Sequence, residues 1–339
     1  MNSQQKFLLG VIAGAIGALA GRQLVRGTRH VDFNGRVIVI TGGSRGLGLV
    51  LARQLAAEGA RLCLLARDED ELRRAAEQFP PDVEVMTVRC DIRRRADVRA
   101  AVDAIHDRWG EIDVLINNAG VIQVGPLEHM TARDFENAMA THFWGPLHLM
   151  FEIVPSMRRR GFGRIVNISS IGGQLAVPHL APYCSSKFAL SGLSDALRAE
   201  LDQYGIRVTT VTPGLMRTGS PRNAAVKGQH EAEYAWFAIA DSLPGVSASA
   251  ETAARRIVEA CRYGDPNLTI TVPAKLAVVI NAIAPAAVAR AMIVANRFLP
   301  GPNGATGDYG KRGRESTSKW VPSAATVLTD KAAVINNEV

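Results

Sequence analysis

Short apolar runs alternate with amphipathic segments from Gly35 to Pro273. We predict strands at the β-branched runs, which are 36–40, 61–66, 83–90, 113–120, 163–170, 206–214 and 267–273. Helical spacing occupies the intervals, chiefly 47–60, 68–79, 96–109, 135–157, 183–204 and 251–261. Strands of a parallel sheet are near-continuously apolar because helices cover both faces. The pattern therefore predicts a single α/β domain, residues 31–273, built on a parallel sheet.

Two stretches near the end of the chain lie outside this pattern. Residues 274–300 are strongly apolar and broken by Pro285, with Leu276, Val279 and Ile283 on one helical face. That face is interpreted either as core or subunit contact, or as a surface that docks on a membrane. Residues 301–339 are rich in glycine, serine and charge, which predicts a flexible tail.

The first thirty residues contain an uncharged run, FLLGVIAGAIGALAG, at 7–21. A helix of this length spans about 22 Å, short of the roughly 30 Å hydrocarbon core. Three interpretations compete: a signal peptide cleaved after ALA at 18–20, an ordinary buried helix, and a retained membrane anchor. Small residues recur at the spacing that favours helix packing in lipid, so we favour an anchor within 1–30. Arginines after the run outnumber the lysine before it, which predicts that the domain faces the cytoplasm.

Composition and charge narrow the partners. The chain has 339 residues, of which 47% are hydrophobic and 21% charged, and this suits a folded protein with a sizeable core. The net charge of +7 permits an anionic partner. Basic clusters at 93–95, 158–160 and 311–314 carry no interleaved aromatic residues, so we expect solvated helix ends and no nucleic acid. The four cysteines have no metal-ligand or disulfide spacing, so no metal site is expected.

The sequence TGGSRGLG at 41–48 follows the first predicted strand and opens a helix. Glycines there let the backbone approach a pyrophosphate, and the helix N-terminus supplies free amides and positive dipole. In this strand-turn-helix context the motif predicts a dinucleotide-binding site.

Four ordered motifs carry a resemblance to a known family. They are TGGSRGLG at 41–48, NNAG at 117–120, YCSSK at 183–187 with Ser170 upstream, and PG-x-x-x-T at 213–218. Residues 35–273 thereby resemble the classical short-chain dehydrogenase/reductase family. The resemblance implies a Rossmann-type, doubly wound sheet of seven strands and a nicotinamide cofactor. It also implies catalysis by a serine, a tyrosine and a lysine, and a substrate lid at about 219–245.

Tyr183 stands one helical turn before Lys187, so the two side chains face the same side. The lysine ammonium and an oxidised nicotinamide ring are both positive and favour the phenolate of Tyr183. Lowering the pKa of a tyrosine from ~10 to ~7 requires about 4 kcal/mol. Tyr183 is then the proton donor in reduction and the base in oxidation. The resemblance assigns Ser170, thirteen residues upstream, to the substrate oxygen, and Lys187 also to the cofactor ribose.

The charge after the second strand predicts the choice of cofactor. Ala66 stands where an acid would bind the ribose of NAD, and Arg67 follows it. Arg45 lies inside the Gly-rich turn, and two guanidinium groups suit the 2′-phosphate of NADP(H). The residues expected to bind the cofactor are Thr41, Gly42, Ser44, Arg45, Gly46, Leu47, Gly48, Arg67, Asp91, Ile92, Asn118, Ala119, Gly120, Tyr183, Lys187, Pro213, Gly214 and Thr218.

One position departs from the family pattern. His142 stands where the family usually has an asparagine that links a water molecule to the lysine. Imidazole forms hydrogen bonds and titrates near neutrality, so His142 is our fourth candidate catalytic residue, in an altered proton relay. The alternative is that His142 only packs its helix.

The predicted lid carries Tyr234, Trp236 and Phe237, which either form an aromatic wall or pack the lid down. An apolar lid beside membrane-seeking segments suggests a hydrophobic alcohol and its ketone or aldehyde. The sequence therefore predicts a membrane-associated, NADP(H)-dependent oxidoreductase with its catalytic domain in the cytoplasm, and a homo-oligomer remains open. The alternative is a dinucleotide-binding sensor or scaffold without turnover.

Overall fold

A computed structural model of the protein describes residues 26–302, 304–324 and 326–339. The apolar run at 7–21, on which the anchor prediction depends, lies outside these residues. Among the helices of the described ranges, none is both long and apolar enough to cross a membrane.

Seven parallel strands form the central sheet, in the order β3-β2-β1-β4-β6-β7-β11. Their bounds are β1 Val37–Thr41, β2 Arg61–Ala66, β3 Val85–Arg89, β4 Val114–Asn117, β6 Gly163–Ile168, β7 Ile206–Thr212 and β11 Asn267–Thr269. Strands are added outward in both directions from β1 and β4, so the strand order reverses between these two. The predicted doubly wound, Rossmann-type parallel sheet of seven strands is confirmed.

Helices cover both faces of the sheet. Their bounds are α1 Gly46–Ala56, α2 Glu69–Ala76, α3 Arg95–Trp109, α4 Ala132–Met139, α5 Gly145–Arg160, α6 Ala181–Leu201, α7 Ser220–Asn223, α8 His230–Ser242 and α9 Ala250–Tyr263. Alternate residues of β1 face opposite layers: Ile38 and Ile40 pack with α1 and α9, and Val39 packs with α3 and α5. Burial on both faces explains why the strands read as unbroken apolar runs.

The long helix predicted at 135–157 is divided in the structure. Helix α4 ends at Met139, the segment Ala140–Trp144 is π-helical, and α5 begins at Gly145. Single π-helical turns inside α-helices are frequently found at functional sites. Here the turn carries His142.

Short strands lie outside the central sheet. The strands β5 Gln123–Val124, β9 Ala225–Val226 and β12 Lys311–Arg312 form a three-stranded sheet, and β8 Met216–Arg217 pairs with β10 Ala248–Ser249. Strand β12 therefore joins the chain after Pro300 to the region of the lid.

The apolar stretch after β11 forms two helices, α10 Val272–Ile283 and α11 Pro285–Asn296. Their large apolar side chains are exposed: Ile283 is 79% exposed, and Phe298 just beyond α11 is 84% exposed. Residues 274–300 therefore contribute little to the core, which leaves a contact surface as their interpretation.

The prediction of a flexible tail at 301–339 is wrong. Helix α12, Val327–Ile335, packs against α8, and β12 pairs with β9. Val321, Ala333 and Asn336 have no exposed surface. The composition of the segment suggested solvation because its few apolar residues show no strong pattern. They are buried because the lid helix gives them a partner that is distant in sequence.

Candidate active site

A cleft of about 1070 Å³ opens at the carboxyl ends of the strands. In open α/β sheets the crevice where the strand order reverses is the usual ligand site. Every residue proposed from the sequence for catalysis or cofactor binding lines this cleft, except Thr41 and Gly48. The fold thus brings together motifs that are spread over more than half of the chain.

Thr41 and Gly48 do not line the cleft but stabilise the Gly-rich turn on the side away from it. The Thr41 hydroxyl oxygen accepts hydrogen bonds of 2.9 Å from the backbone amides of both Asn118 and Ala119. A Cβ at Gly48 would lie 2.1 Å from the carbonyl oxygen of Gly42, so only glycine allows helix α1 to approach β1 this closely. These contacts join the ends of β1 and β4, and they explain part of the NNAG motif.

Gly42 and Gly46 have φ angles of +63° and +56°, a region that L side chains rarely adopt. Helix α1 begins at Gly46, where the first backbone amides have no partner within the helix. The turn is therefore a cradle shaped for a diphosphate, and the residues present fit a dinucleotide.

Ser170, Tyr183 and Lys187 lie together at the inner end of the cleft. The ammonium nitrogen of Lys187 donates a hydrogen bond of 2.8 Å to the carbonyl oxygen of Ile168, and it lies 5.7 Å from the ring centroid of Tyr183. The neighbouring Ser169 hydroxyl instead donates to the carbonyl oxygen of Lys187 at 3.0 Å. Of the two serines, Ser170 is the one that hydrogen-bonds the phenol of Tyr183.

Burial acts against the charged form of both groups in this pair. It raises the pKa of Tyr183 above its ordinary value, and the hydrogen bond from Ser170 opposes this only in part. It also lowers the pKa of Lys187 to about 7. The side chains alone therefore do not produce the phenolate expected from the sequence, and Tyr183 holds its proton.

His142 is buried in the π-helical turn, with 1% of its surface exposed. The Val121 amide donates to its Nε2 at 3.1 Å, so Nδ1 carries the hydrogen and donates to Ser186 Oγ at 2.7 Å. Burial, and then the charge of Lys187, hold the pKa of His142 well below its ordinary value. The expectation that His142 titrates near neutrality is therefore wrong, because a buried imidazole loses the hydration that stabilises its charge.

Arginines gather at the outer end of the cleft. Arg67 is exposed at the end of β2. Its pKa is lowered by partial burial and by the charges of Arg93, Arg45 and Arg312, and the charge of Asp91 opposes this. Arg312 belongs to the basic cluster at 311–314, which the sequence suggested was a solvated helix end. The structure places it on the rim of the cleft, in strand β12.

Arg45 has a partner that the sequence did not suggest. Its Nη1 forms an ion pair of 2.7 Å with the Glu71 carboxylate, which also accepts a hydrogen bond of 3.0 Å from Ser44 Oγ. Glu71 lies on the first turn of α2, and no sequence motif marks it. Within the cleft, Arg45 is thus held by a neighbouring acid.

A second group missed by sequence reasoning is the segment Asn336–Glu338, which lies on the Gly-rich turn. The Gly46 amide donates to the carbonyl oxygen of Asn336 at 2.8 Å, and Asn337 Nδ2 donates to the carbonyl oxygen of Ser44 at 2.9 Å. Nearly three hundred residues separate the partners, so no local pattern indicates the contact.

The lid helix α8 contains aromatic residues with different roles. Phe237 packs in a small apolar cluster with Leu180 and Val177, against which the ring of Tyr183 also packs. Tyr234 instead packs with Val321 from the chain after Pro300. Tyr234, Trp236 and Phe237 do not line the cleft, so the second interpretation of the lid aromatics applies: they pack the lid down.

The comparisons with known proteins agree with this geometry. The family model for short chain dehydrogenase matches residues 36–227. The chain belongs to the short-chain dehydrogenase family. As a member of this family of oxidoreductases, it is 37% identical over 220 residues to dehydrogenase/reductase SDR family member 7B of Danio rerio, with 62% of this chain and 71% of that protein covered.

Solved structures of the short-chain dehydrogenase fold include relatives with either cofactor. A gluconate 5-dehydrogenase from Burkholderia cenocepacia, in complex with NADP and tartrate, is 28% identical with a TM-score of 0.61, covering 70% of this chain and 94% of that one. A short chain dehydrogenase/reductase from Burkholderia phymatum, in complex with NAD, is 26% identical with a TM-score of 0.68, covering 74% and 94%. These neighbours of the short-chain dehydrogenase fold thus bind a nicotinamide dinucleotide, and they do not decide between NAD and NADP.

Proposed function

We propose that this short-chain dehydrogenase interconverts a hydrophobic alcohol and its ketone or aldehyde, with NADP(H) as cofactor. The observation that carries the proposal is the meeting of Ser170, Tyr183 and Lys187 in a cleft whose wall at Tyr183 is apolar. A polar reacting centre beside an apolar wall suits a carbonyl carried by an apolar substrate.

Tyr183 is the proton donor in reduction. Because burial raises its pKa, the phenol keeps its proton until a carbonyl oxygen accepts it. Ser170 donates a second hydrogen bond to the same oxygen, and Lys187 binds the ribose. When bound, the nicotinamide supplies or accepts the hydride and, in its oxidised form, adds the positive charge that the phenolate requires in oxidation.

The cluster of arginines supports NADP(H). The arginines around Arg67 repel one another, and a phosphate dianion between them would relieve that repulsion. Among the described residues, neither Arg67 nor Arg312 forms an ion pair within 4 Å, whereas Arg45 is paired with Glu71. We therefore assign the 2′-phosphate chiefly to Arg67 and Arg312.

The helix pair α10–α11 supports membrane association and an apolar substrate. Asn281 of α10 donates to the carbonyl oxygen of Gln174, four residues after Ser170, so this pair contacts the segment that follows the site serine. No acidic residue occurs between Asp265 and Asp308, and three basic residues do: Lys275, Arg290 and Arg297. An exposed apolar surface with only positive charge suits docking on an anionic lipid surface. We propose that the domain docks there on the cytoplasmic side, in addition to an anchor at 7–21.

The proposal is tested by assaying hydrophobic ketones, aldehydes and alcohols with NADPH or NADP and following the absorbance of the reduced nicotinamide. We expect turnover by the natural sequence. Turnover should be lost in Tyr183→Phe and retained in Tyr309→Phe. Tyr309 is an exposed tyrosine and is therefore a matched control. Dinucleotide binding without turnover of any such substrate would instead indicate a sensor or scaffold. If Tyr183→Phe kept more than about a tenth of the activity, Tyr183 would not be the proton donor.

The anchor is tested separately by alkaline carbonate, which strips peripheral proteins from membranes. The full chain should remain with the membrane pellet. Mass spectrometry of the mature protein decides the rival interpretation, since an N-terminus at Gly21 would indicate a cleaved signal peptide and contradict the anchor.

A further inference from the structure

The Gly-rich turn is in contact with the chain's own residues 336–338. Helix α1 presents the amide of Gly46 at its first position, and this amide donates to the carbonyl oxygen of Asn336 at 2.8 Å. The amide of Asn337 donates from Nδ2 to the carbonyl oxygens of Ser44 and Glu71, at 2.9 and 3.1 Å. The segment is thus bound at the N-terminal end of α1, through the backbone of Ser44 and Gly46, the residues before and after Arg45.

Two arginines outside the turn hold the same segment. Arg53 Nη1 donates to Asn336 Oδ1 at 3.0 Å, and Arg74 Nε donates to Asn337 Oδ1 at 3.1 Å. Asn337 has a φ of +59°, a left-handed conformation that asparagine tolerates better than most residues. No residue from 336 to 338 is more than 9% exposed. The segment is therefore buried in its site and held there by specific hydrogen bonds.

The carboxyl group of Glu338 completes the contact. Its Oε2 accepts a hydrogen bond of 2.5 Å from the amide of Gly219, and a Cβ built on Gly46 would lie 3.1 Å from its Oε1. The carboxyl oxygens of Glu338 thus lie at a helix N-terminus, where free backbone amides bind oxygen acceptors. A pyrophosphate presents oxygen acceptors to the same turn.

We infer that residues 336–338 are an intramolecular competitor that occupies the pyrophosphate-binding turn and must leave before a dinucleotide binds. The Gly46 amide has one hydrogen and cannot serve both the Asn336 carbonyl and a pyrophosphate oxygen. The apparent affinity for cofactor is then reduced by the fraction of molecules in which the segment is released. This inference rests on the proposed function only for the binding of a nicotinamide dinucleotide, and neither the substrate nor the choice of NADP affects it.

The first test compares dissociation constants for NADPH and for NADH by calorimetry. The proteins are the full chain, a chain ending at Ile335, the double substitution Asn337→Ala with Glu338→Ala, and the control Val334→Ser, which changes an exposed residue of α12. Removing or weakening the segment should tighten binding of both dinucleotides about tenfold, as expected if nine molecules in ten hold it docked. Unchanged or weaker binding in both altered proteins, with unfolding temperatures like that of the control, would overturn the inference.

The second test needs no substitution and so remains informative if the altered proteins fold poorly. Hydrogen exchange of the full chain is followed at the amide of Glu338, which donates to the carbonyl oxygen of Ala333 at 2.9 Å. Saturating NADPH should accelerate exchange in peptides covering 333–339 and leave helix α3 unchanged. Exchange that stays slow while cofactor is bound would overturn the inference, whereas cofactor binding itself, and with it the proposed function, would stand. If no dinucleotide binds to any of the proteins, both proposals fail.

Discussion

The imidazole of His142 and the hydroxyl of Ser186 are joined by a hydrogen bond of 2.7 Å between Nδ1 and Oγ. Ser186 in turn donates to the carbonyl oxygen of Tyr183 at 2.8 Å, and the His142 ring lies edge-on to the Tyr183 ring, 5.6 Å between centroids. A buried neutral imidazole thereby connects the π-helical turn to helix α6, which bears Tyr183. We propose that His142 acts on the reaction by holding Tyr183 in place.

The first prediction follows from this contact. His142→Leu should lower kcat about tenfold with KM little changed, because Tyr183 is then less well oriented. A tenfold loss corresponds to about 1.4 kcal/mol of activation free energy. His142→Asn, which keeps a donor and an acceptor, should recover most of the loss. Ser186→Ala should behave like His142→Leu, and the double variant should be no worse than either single one.

The neutrality of His142 gives this prediction an independent readout. Because burial holds its pKa far below neutrality, the pH dependence of kcat between pH 6 and 8 should have the same shape in His142→Asn as in the natural sequence. An inflection that is present in the natural protein and absent in the variant would show that His142 does titrate there.

The second prediction concerns Arg67 and Arg312. The protein should prefer NADPH over NADH at least tenfold, or about 1.4 kcal/mol. Changing both arginines to glutamine should abolish the preference, whereas Arg45→Gln should have a smaller effect because Glu71 already holds that guanidinium.

The matched control for the arginine substitutions is Arg94→Gln. Arg94 is an exposed arginine that pairs with Asp97 at 3.5 Å and does not line the cleft. Measured affinities that are equal for NADH and NADPH in the natural sequence would contradict the assignment of a 2′-phosphate site.

The third prediction is a pH dependence of cofactor affinity. Burial raises the pKa of Glu338 to about 7, and Glu71 acts in the same direction. The hydrogen bond from the Gly219 amide opposes this shift, as do the charges of Arg45 and Arg222. The docked segment thus binds a proton more tightly than the released one, so docking weakens as the pH rises toward 7 and is constant above it. Between pH 5.5 and 7.5 the affinity for NADPH should rise roughly tenfold.

The reference for this pH dependence is the chain ending at Ile335, in which any remaining change comes from the cofactor or from other groups. Glu338→Gln keeps an acceptor for the Gly219 amide without the titrating group. It should therefore bind NADPH weakly at both pH values. A pH dependence that is identical in the natural and shortened chains would exclude Glu338 as its source.

The fourth prediction tests the surface of α10 and α11. A chain beginning at Arg22 should sediment with vesicles rich in phosphatidylserine, and Ile283→Asp combined with Phe298→Asp should remove most of that binding. Trp320→Asp is the control, because Trp320 is also an exposed apolar residue, at 62%, and lies outside the pair. Sedimentation of the double variant at the level of the control would contradict membrane docking by these helices.

The sequence by itself determined those features whose partners are near in the chain or whose chemistry follows from one motif. The strand-turn-helix at 37–56 needs glycine at 42 and 46 because the backbone has positive φ there, and at 48 because the helix approaches the strand closely. The spacing of Tyr183 and Lys187 places both on one side of α6 for any helix of ordinary pitch. The alternation of apolar runs and amphipathic segments determined the parallel sheet, because each strand is covered by helices that are near it in the chain.

Only the tertiary structure decided the charge states and the long-range contacts. Whether His142 titrates depends on its burial between the segment that follows β4 and helix α6. The pKa of Lys187 also depends on burial, which the neighbours of a residue in the sequence do not reveal. The cluster at 311–314 became part of the cleft because β12 pairs with β9, and residues 336–338 reached the Gly-rich turn because α12 packs on the lid. Contacts between segments hundreds of residues apart depend on surfaces that exist only after the sheet and lid have formed.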